Sequence, residues 1–216
     1  MTLKRFIAEA KSGTARVCHS ALLKNSEREQ FLEYSNPVRI GFGNGLVTTR
    51  QGLALLGIDP QHDDLSVSSE QLRQKGFKVA YQEARAYSPS IDRAIARDHH
   101  AAVFHTVDGA DNTATLLRMV AANRLDGAIA RPHEASYFQR TEAPANPLYY
   151  LEIDGAAQLT QAYIACSKGR WNDSLLSEIN RLNRMPEVRG IIDSAVLEWT
   201  PESLAPRYLR EAARHF

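Results

Sequence analysis

Side chains able to do chemistry are few and scattered in this 216-residue sequence. Arg28 lies in the stretch LLKNSEREQFLEYSNPV, Leu22 to Val38. A guanidinium offers a planar fork that gives a carboxylate two parallel hydrogen bonds. Its local alternative is a surface ion pair with Glu27, Glu29 or Glu33, of small energetic value. Arg85, Tyr87 and Ser88 precede or open the helical pattern YSPSIDRAIARD, with Ser88 as N-cap and Pro89 at the first position. The free N–H groups and positive dipole end of such a helix suit an anionic group. Tyr87 also reads as a packed core aromatic. Arg131 and Glu134 stand one helical turn apart in LDGAIARPHE, where Pro132 opens a short helix and Asp126 reads as structural.

Other patterns carry less. Gly41, Gly43 and Gly45 in RIGFGNGLVTTR suggest a phosphate loop, but the dinucleotide fingerprint needs another spacing and a helix directly after it. A flexible extended connector is the reading. His99 and His100 are adjacent and face different ways on any regular element, so with His105 they make no metal site. No Ser-His-Asp or Cys-His constellation is present. No catalytic residue, metal or cofactor is assigned. Cys18 and Cys166 are too few for a disulfide scaffold and are spaced for no metal, so they read as small buried residues on strands.

The elements that must position these groups follow from composition and period. Hydrophobic residues make up 44% of the chain, and Lys+Arg (26) nearly equals Asp+Glu (25). That balance, with no basic stripe among aromatics, excludes a nucleic-acid partner. No apolar run approaches the length of a membrane span, so direct membrane insertion is excluded. MTLKRFIAEAKSG reads as an amphipathic helix ending at Gly13, with Leu3, Phe6, Ile7 and Ala10 on one face. It has no apolar h-region, so it is no secretory signal, and on its own terms the chain reads as cytoplasmic. From Ser66 helices and strands alternate, with DNTATLLRMVAANR a helix capped by Asp111 or Asn112. This predicts α/β architecture with a mostly parallel sheet. The end of the chain is helical: RWNDSLLSEINRLNRM with Leu175, Leu176, Ile179 and Leu182 inward, PEVRGIIDSAVLEWT, and a last helix opened by Thr200 and Pro201. Trp171 and Trp199 read as core. The opening helix and strand bury too little alone, so the chain must return to them after a second lobe.

Four phrases in this order resemble the periplasmic solute-binding proteins of type 2, in particular the amino-acid-type extracellular solute-binding family three. They are FIAEAKSGTARVCHSALLKNSEREQFLEYSNPV, VAYQEARAYSPSIDRAI, LLRMVAANRLDGAIARPHEASYF and YIACSKGRWNDSLLSEINRL, covering nearly the whole chain from about Arg5. In the first, Arg28 takes the family's arginine position and EYSNP its crossing phrase. Asn25 replaces the usual Thr, and Arg16 stands where Asp is common. The resemblance implies a two-lobed fold with mixed, mostly parallel sheets flanked by helices. Lobe one would comprise residues 1–42 and 160–216, lobe two 43–159, with crossing strands near 38–48 and 156–164. Family members have a signal peptide and further lobe-one strands before the equivalent of residue 5, so lobe one is expected to be incomplete.

The resemblance also assigns roles. Arg28 would hold a ligand carboxylate, Ser20 aligns with a polar contact, and Arg85, Tyr87 and Ser88 would contribute from lobe two. The acidic position that holds an α-ammonium falls on Arg131, with Glu134 a turn later. An acidic solute is therefore expected rather than an ordinary zwitterionic amino acid. In an exported protein Cys18 and Cys166 could form a disulfide. The function implied is a periplasmic, non-enzymatic, monomeric receptor that delivers a small-molecule solute to the membrane permease of an ABC importer. The alternatives are a dehydratase-like enzyme on the same fold and a sensory or vestigial domain that binds nothing.

Overall fold

The computed structural model describes residues 2–61, 65–83, 85–98, 103–107, 112–156 and 158–215. In chain order, α1 (Leu3–Ser12) leads to β1 (Cys18–Leu22), β2 (Leu32–Tyr34), β3 (Arg39–Phe42), β4 (Gly45–Thr49) and α2 (Arg50–Leu56). Next come β5 (Ser66–Val67), α3 (Ser69–Gln74), β6 (Val79–Ala80), α4 (Pro89–Asp98), β7 (Phe104–His105) and α5 (Thr113–Ala121). Then follow β8 (Gly127–Ala130), α6 (Pro132–Glu142), β9 (Leu148–Ile153) and β10 (Leu159–Ser167). The chain closes with α7 (Asp173–Leu182), α8 (Pro186–Trp199) and α9 (Ala205–His215). His99, His100 and Asp111 lie outside the described residues.

By contacts the chain divides into two units: Met1–Gly41, Leu159–Glu198 and Glu202–Phe216 in the first, Phe42–Gln158 and Trp199–Pro201 in the second. The first is built on β10, which pairs with β1 and β2, both antiparallel, and with β3. Thr2 caps α1 and Gly13 ends it in the left-handed conformation (φ 71°). The face chosen by helical spacing is the one that packs: Phe6 and Ala10 are buried with Leu22, Leu32 and Ala165, and Leu3 and Ile7 lie against them.

This apolar cluster is small, and other bonds supplement it. Cys18 and Cys166 sit opposite each other in the β1–β10 register and form a disulfide. The free-thiol reading is thereby corrected: the two cysteines are cross-strand partners, which their separation in sequence conceals. The C-terminal helices are tied by polar contacts. Asn183 donates to the carbonyl of Pro37 at 2.8 Å, Arg189 to that of Val38 at 2.6 Å, and the N–H of Asn36 to Asn180 Oδ1 at 2.7 Å. Buried Tyr208 donates to Asp193 at 2.7 Å. Of the residues expected inward on α7, Leu176 is buried but Leu175 and Leu182 are exposed, and α8 buries none of its residues. The last helix begins at Ala205, after a short turn at Glu202–Leu204, not at Pro201.

The second unit is three-layered, and period explains it. Its six-stranded sheet has the order β5-β9-β4-β8-β6-β7. Along β4, Leu46 enters one apolar cluster and Val47 the other, and in β6 Val79 and Ala80 divide the same way. Leu53, Leu72 and Ile91 place α2, α3 and α4 on one face, while Leu116, Leu117 and Phe138 place α5 and α6 on the other. The β5–β9, β8–β6 and β6–β7 pairs are parallel and β4–β8 and β4–β9 antiparallel, so the sheet is mixed. The stretch that forms β4 reads in sequence as an extended connector; it is a central strand, whose antiparallel pairings interrupt the parallel run. Trp199 packs on this unit, its ring 4.8 Å from that of Tyr137 and 4.4 Å from the Arg140 guanidinium carbon. It and Trp171 are only half-buried, not core.

The glycine-rich stretch is not flexible. All five residues of β4 are buried. Gly43 donates to the carbonyl of Gln158 at 2.8 Å and accepts from the Tyr150 hydroxyl at 3.2 Å. A Cβ on Gly45 would collide with the Leu151 carbonyl and the Tyr150 ring, so glycine there serves close approach of strands. A helix does follow: α2, capped by Thr49 and ended by Gly57 (φ 72°). Gly41 and Gly43 precede β4 and Gly45 opens it, so none of them joins strand to helix, which is wrong for a phosphate loop.

Since the disulfide spans 148 residues of sequence, removing it is expected to destabilise the first unit by about 2–4 kcal/mol. Thermal melts of C18S/C166S and of reduced wild-type protein test this. Equal melting of reduced and oxidised protein would show that the bond contributes nothing.

Candidate functional site

Four segments of the second unit converge on one guanidinium. Arg85 follows β6; its Nη1 donates to Glu134 Oε1 at 2.8 Å, to Thr113 Oγ1 at 2.9 Å and to Gln82 Oε1 at 3.4 Å. Its Nη2 donates to Glu134 Oε2 at 2.8 Å and to Asn44 Oδ1 at 2.9 Å. The Arg85–Glu134 pair is therefore bidentate, with side chains only 12% and 24% exposed.

Each partner is placed by local chemistry. Glu134 is the third residue of α6, and its Oε2 also accepts the N–H of Arg131 at 2.8 Å. That contact is the reaching-back half of a capping box, made at the point where Pro132 sends the chain into a helix. Thr113 is the first residue of α5, capped by Asn112, which accepts from the N–H of Thr115 at 2.9 Å. The Thr113 hydroxyl lies 3.2 Å from Gln82 Oε1 and 3.3 Å from Glu134 Oε1, so its single proton serves one of them. Asn44 fills the break between β3 and β4.

Electrostatics follow from this packing. Burial pushes the Glu134 carboxyl up, but the charge of Arg85, its hydrogen bonds and the charge of Arg131 outweigh it, holding the group well below the usual carboxylate range. Burial likewise opposes the Arg85 charge, and Glu134 more than restores it. Tyr87 is 2% exposed and packs in the core, with its ring 5.5 Å from the Arg85 guanidinium carbon. Its hydroxyl accepts from the N–H of Gln82 at 2.8 Å, and burial pushes the phenol up to about 12 although Arg85 pulls it down.

The structure thus joins Arg85, Glu134, Tyr87 and the backbone of Arg131. Ser88 is buried at the start of α4, where Ile91 N donates to its Oγ at 3.4 Å. Asp126 is structural: its carboxylate accepts the Lys78 N–H at 2.9 Å and its carbonyl the Thr48 hydroxyl at 2.5 Å. Arg28 and Ser20 belong to the first unit. Arg28 is 6% exposed and so lies buried rather than at the surface; its Nη1 donates to the Leu23 carbonyl at 3.3 Å, and Asn25 Oδ1 accepts its N–H at 2.8 Å. Glu27 pairs with Lys11 at 2.8 Å. Ser20 is exposed at a register shift in β1. Asn44, Gln82 and Thr113 were not singled out by sequence. Asn44 between two glycines and Thr113 beside the Asn112 cap were the available signals.

No family model and no curated protein matches the sequence. Solved structures do. The Bordetella pertussis BvgS periplasmic VFT2 domain is 26% identical, over 89% of this chain and 72% of that one, with TM-score 0.56. The amino acid ABC transporter substrate-binding protein AbpA of Streptococcus pneumoniae, solved with L-arginine, is 16% identical over 100% and 75%, with TM-score 0.61. A histidine kinase sensor domain similar to periplasmic binding proteins is 17% identical over 91% and 74%, with TM-score 0.63. The chain has the two-lobed type 2 periplasmic-binding-protein fold, with mixed sheets flanked by helices. No helix among the described residues is long and apolar enough to cross a membrane.

Breaking the buried pair from one side is expected to cost about 3 kcal/mol or more, because a charge is left uncompensated. In thermal melts R85M and E134L should each fall well below wild type, and R85M/E134L should recover part of the loss. A strictly additive double variant would show the pair to be uncoupled. The folded carboxyl titrates below its ordinary value of 4.5, so its stabilisation is complete above that pH and is lost as pH falls beneath it. E134Q should accordingly flatten the acid limb of stability below about pH 4.5; an unchanged limb would count against the assignment.

Proposed function

We propose that this chain is a solute receptor that binds a small polar or acidic molecule without turning it over. The observation that carries the ligand class is the engagement of Glu134. Its oxygens already accept two N–H groups of Arg85 and the N–H of Arg131, and the Arg85 charge balances its own, so it is poorly placed to hold a ligand ammonium. Held ionised far below neutral pH, it is also a poor proton donor or acceptor, which favours binding over acid–base catalysis. Arg28 in the first unit, and Arg131 and Ser88 with the start of α4 in the second, are the proposed ligand-contacting residues. Ser20, Arg85 and Tyr87 take supporting places.

The likeness to an ABC transporter substrate-binding protein supports a role delivering solute to a membrane permease, and the disulfide supports a periplasmic or other oxidising compartment. The likeness to a histidine kinase sensor domain supports a second reading, in which the same binding reports the solute to a signalling partner. The chain spans about three quarters of the transporter protein and of the sensor domain, 75% and 74%, so the partner belongs to the proposal.

Thermal melts with acetate, succinate and L-glutamate, against glycine, L-alanine and putrescine, test the ligand class. A ligand present at about 100 times its Kd stabilises by about 2.7 kcal/mol. Succinate or glutamate should raise Tm, glycine and alanine should not, and R28M should lose the response. A response to the neutral amino acids or the diamine alone would refute an acidic solute. Uptake of the responding solute, lost on deleting the gene and restored with it, separates importer from sensor.

A further inference from the structure

We infer that Asn44 is a ligand-binding residue whose side-chain Nδ2 donates a hydrogen bond to an oxygen of the acidic solute. The inference rests on the solute-binding reading above and adds a residue to it.

The orientation of the amide is settled by its partner. A guanidinium only donates, so the atom of Asn44 lying 2.9 Å from Arg85 Nη2 is the carbonyl oxygen. The other branch is therefore the NH₂ group. Asn44 is 2% exposed, and its Nδ2 is buried with no acceptor among the described residues. A buried donor without an acceptor is costly, and native structures retain few. This one cannot relax by swinging away. Gly43 is fixed through both its N–H and its carbonyl, and Gly45 is pressed against Leu151 and Tyr150. Arg85, itself held by Glu134 and Thr113, pins the far end of the amide. The result is a preorganised N–H donor beside an ion pair whose own charges already cancel. Such a donor attracts a carboxylate or carbonyl oxygen and offers nothing to a cation. Loss of one hydrogen bond to a charged acceptor corresponds to about a tenfold or greater loss of affinity.

N44D tests this with little change of shape. It keeps an oxygen for Arg85 and replaces the donor with a second oxygen, which repels a carboxylate. Wild type and N44D are titrated with acetate, succinate and L-glutamate, followed by thermal melts. The ¹⁵N–¹H side-chain signal of Asn44, assigned by its loss in N44D, is followed in wild type. Expected are a folded N44D, affinity for the responding acid lowered at least about tenfold, and a saturable shift of the Asn44 signal over the wild-type binding curve. If the wild type binds an acid while N44D binds it equally well, or while the Asn44 signal stays still, Nδ2 serves no ligand and this inference alone falls. If no acid shifts either readout in wild type, the solute-binding reading falls and takes this inference with it.

Discussion

A buried guanidinium must be surrounded by acceptors or it will not stay buried. For Arg85 the protein supplies Glu134, Asn44, Thr113 and Gln82, drawn from four places in the sequence. Desolvating two charges costs several kcal/mol each, and their attraction offsets this only with close geometry and further hydrogen bonds. The pair therefore requires α5 and α6 to start where they do, since Thr113 opens one and Glu134 lies in the first turn of the other. It likewise requires the β3–β4 break to present Asn44. One ion pair thus sets the relative positions of two helix starts and one strand junction.

The sheet beneath makes this geometry rigid. β4 and β8 are buried along their whole length and carry small residues where strands and helices approach closely: Gly45, Gly127, Ala128 and Ala130. A Cβ on Gly127 would meet Leu46 and Phe77. Interiors this closely packed do not deform smoothly, so the polar groups at the strand ends are held to small displacements. That rigidity gives the direction of the Asn44 amide its meaning.

Sequence reading reached most of this unit because its helices are amphipathic and end in recognisable caps: Ser88 before Pro89, Asn112 before α5, Pro132 opening α6. It failed at β4 and α2. The glycines before and at the start of β4 made an extended stretch read as a connector, and α2 is only seven residues long with Gly52 inside it, so its period had no room to register. At the site, Arg85 and Glu134 stood out as charged residues beside helix starts. Their pairing did not, since 49 residues separate them and only the sheet brings them together. Asn44 hid among glycines whose freedom was mistaken for flexibility. Arg28 was legible as an unusual arginine, but its burial depends on the Asn25-capped turn that folds it inward.

The first unit uses a different balance of forces. Its apolar cluster beneath α1 holds five buried residues, while α7 adds buried Leu176, α9 adds Tyr208 and Ala212, and α8 contributes none. With so little area removed from water, the hydrophobic term is a weak constraint on the C-terminal helices. What locates them is directional: Asn183 and Arg189 reach the carbonyls of Pro37 and Val38, Asn180 takes the N–H of Asn36, and Tyr208 meets Asp193. The SNPV segment thus serves as a backbone rail, its polar groups shared between β10 on one side and the helices on the other. Ser35 N–H and Val38 N–H bond to the carbonyls of Ile164 and Ala162. A rail of this kind fixes position only if its strand is fixed. The Cys18–Cys166 bond supplies that, because it holds β10, the strand on which the rail depends, to β1 at the register point next to the buried Ala165.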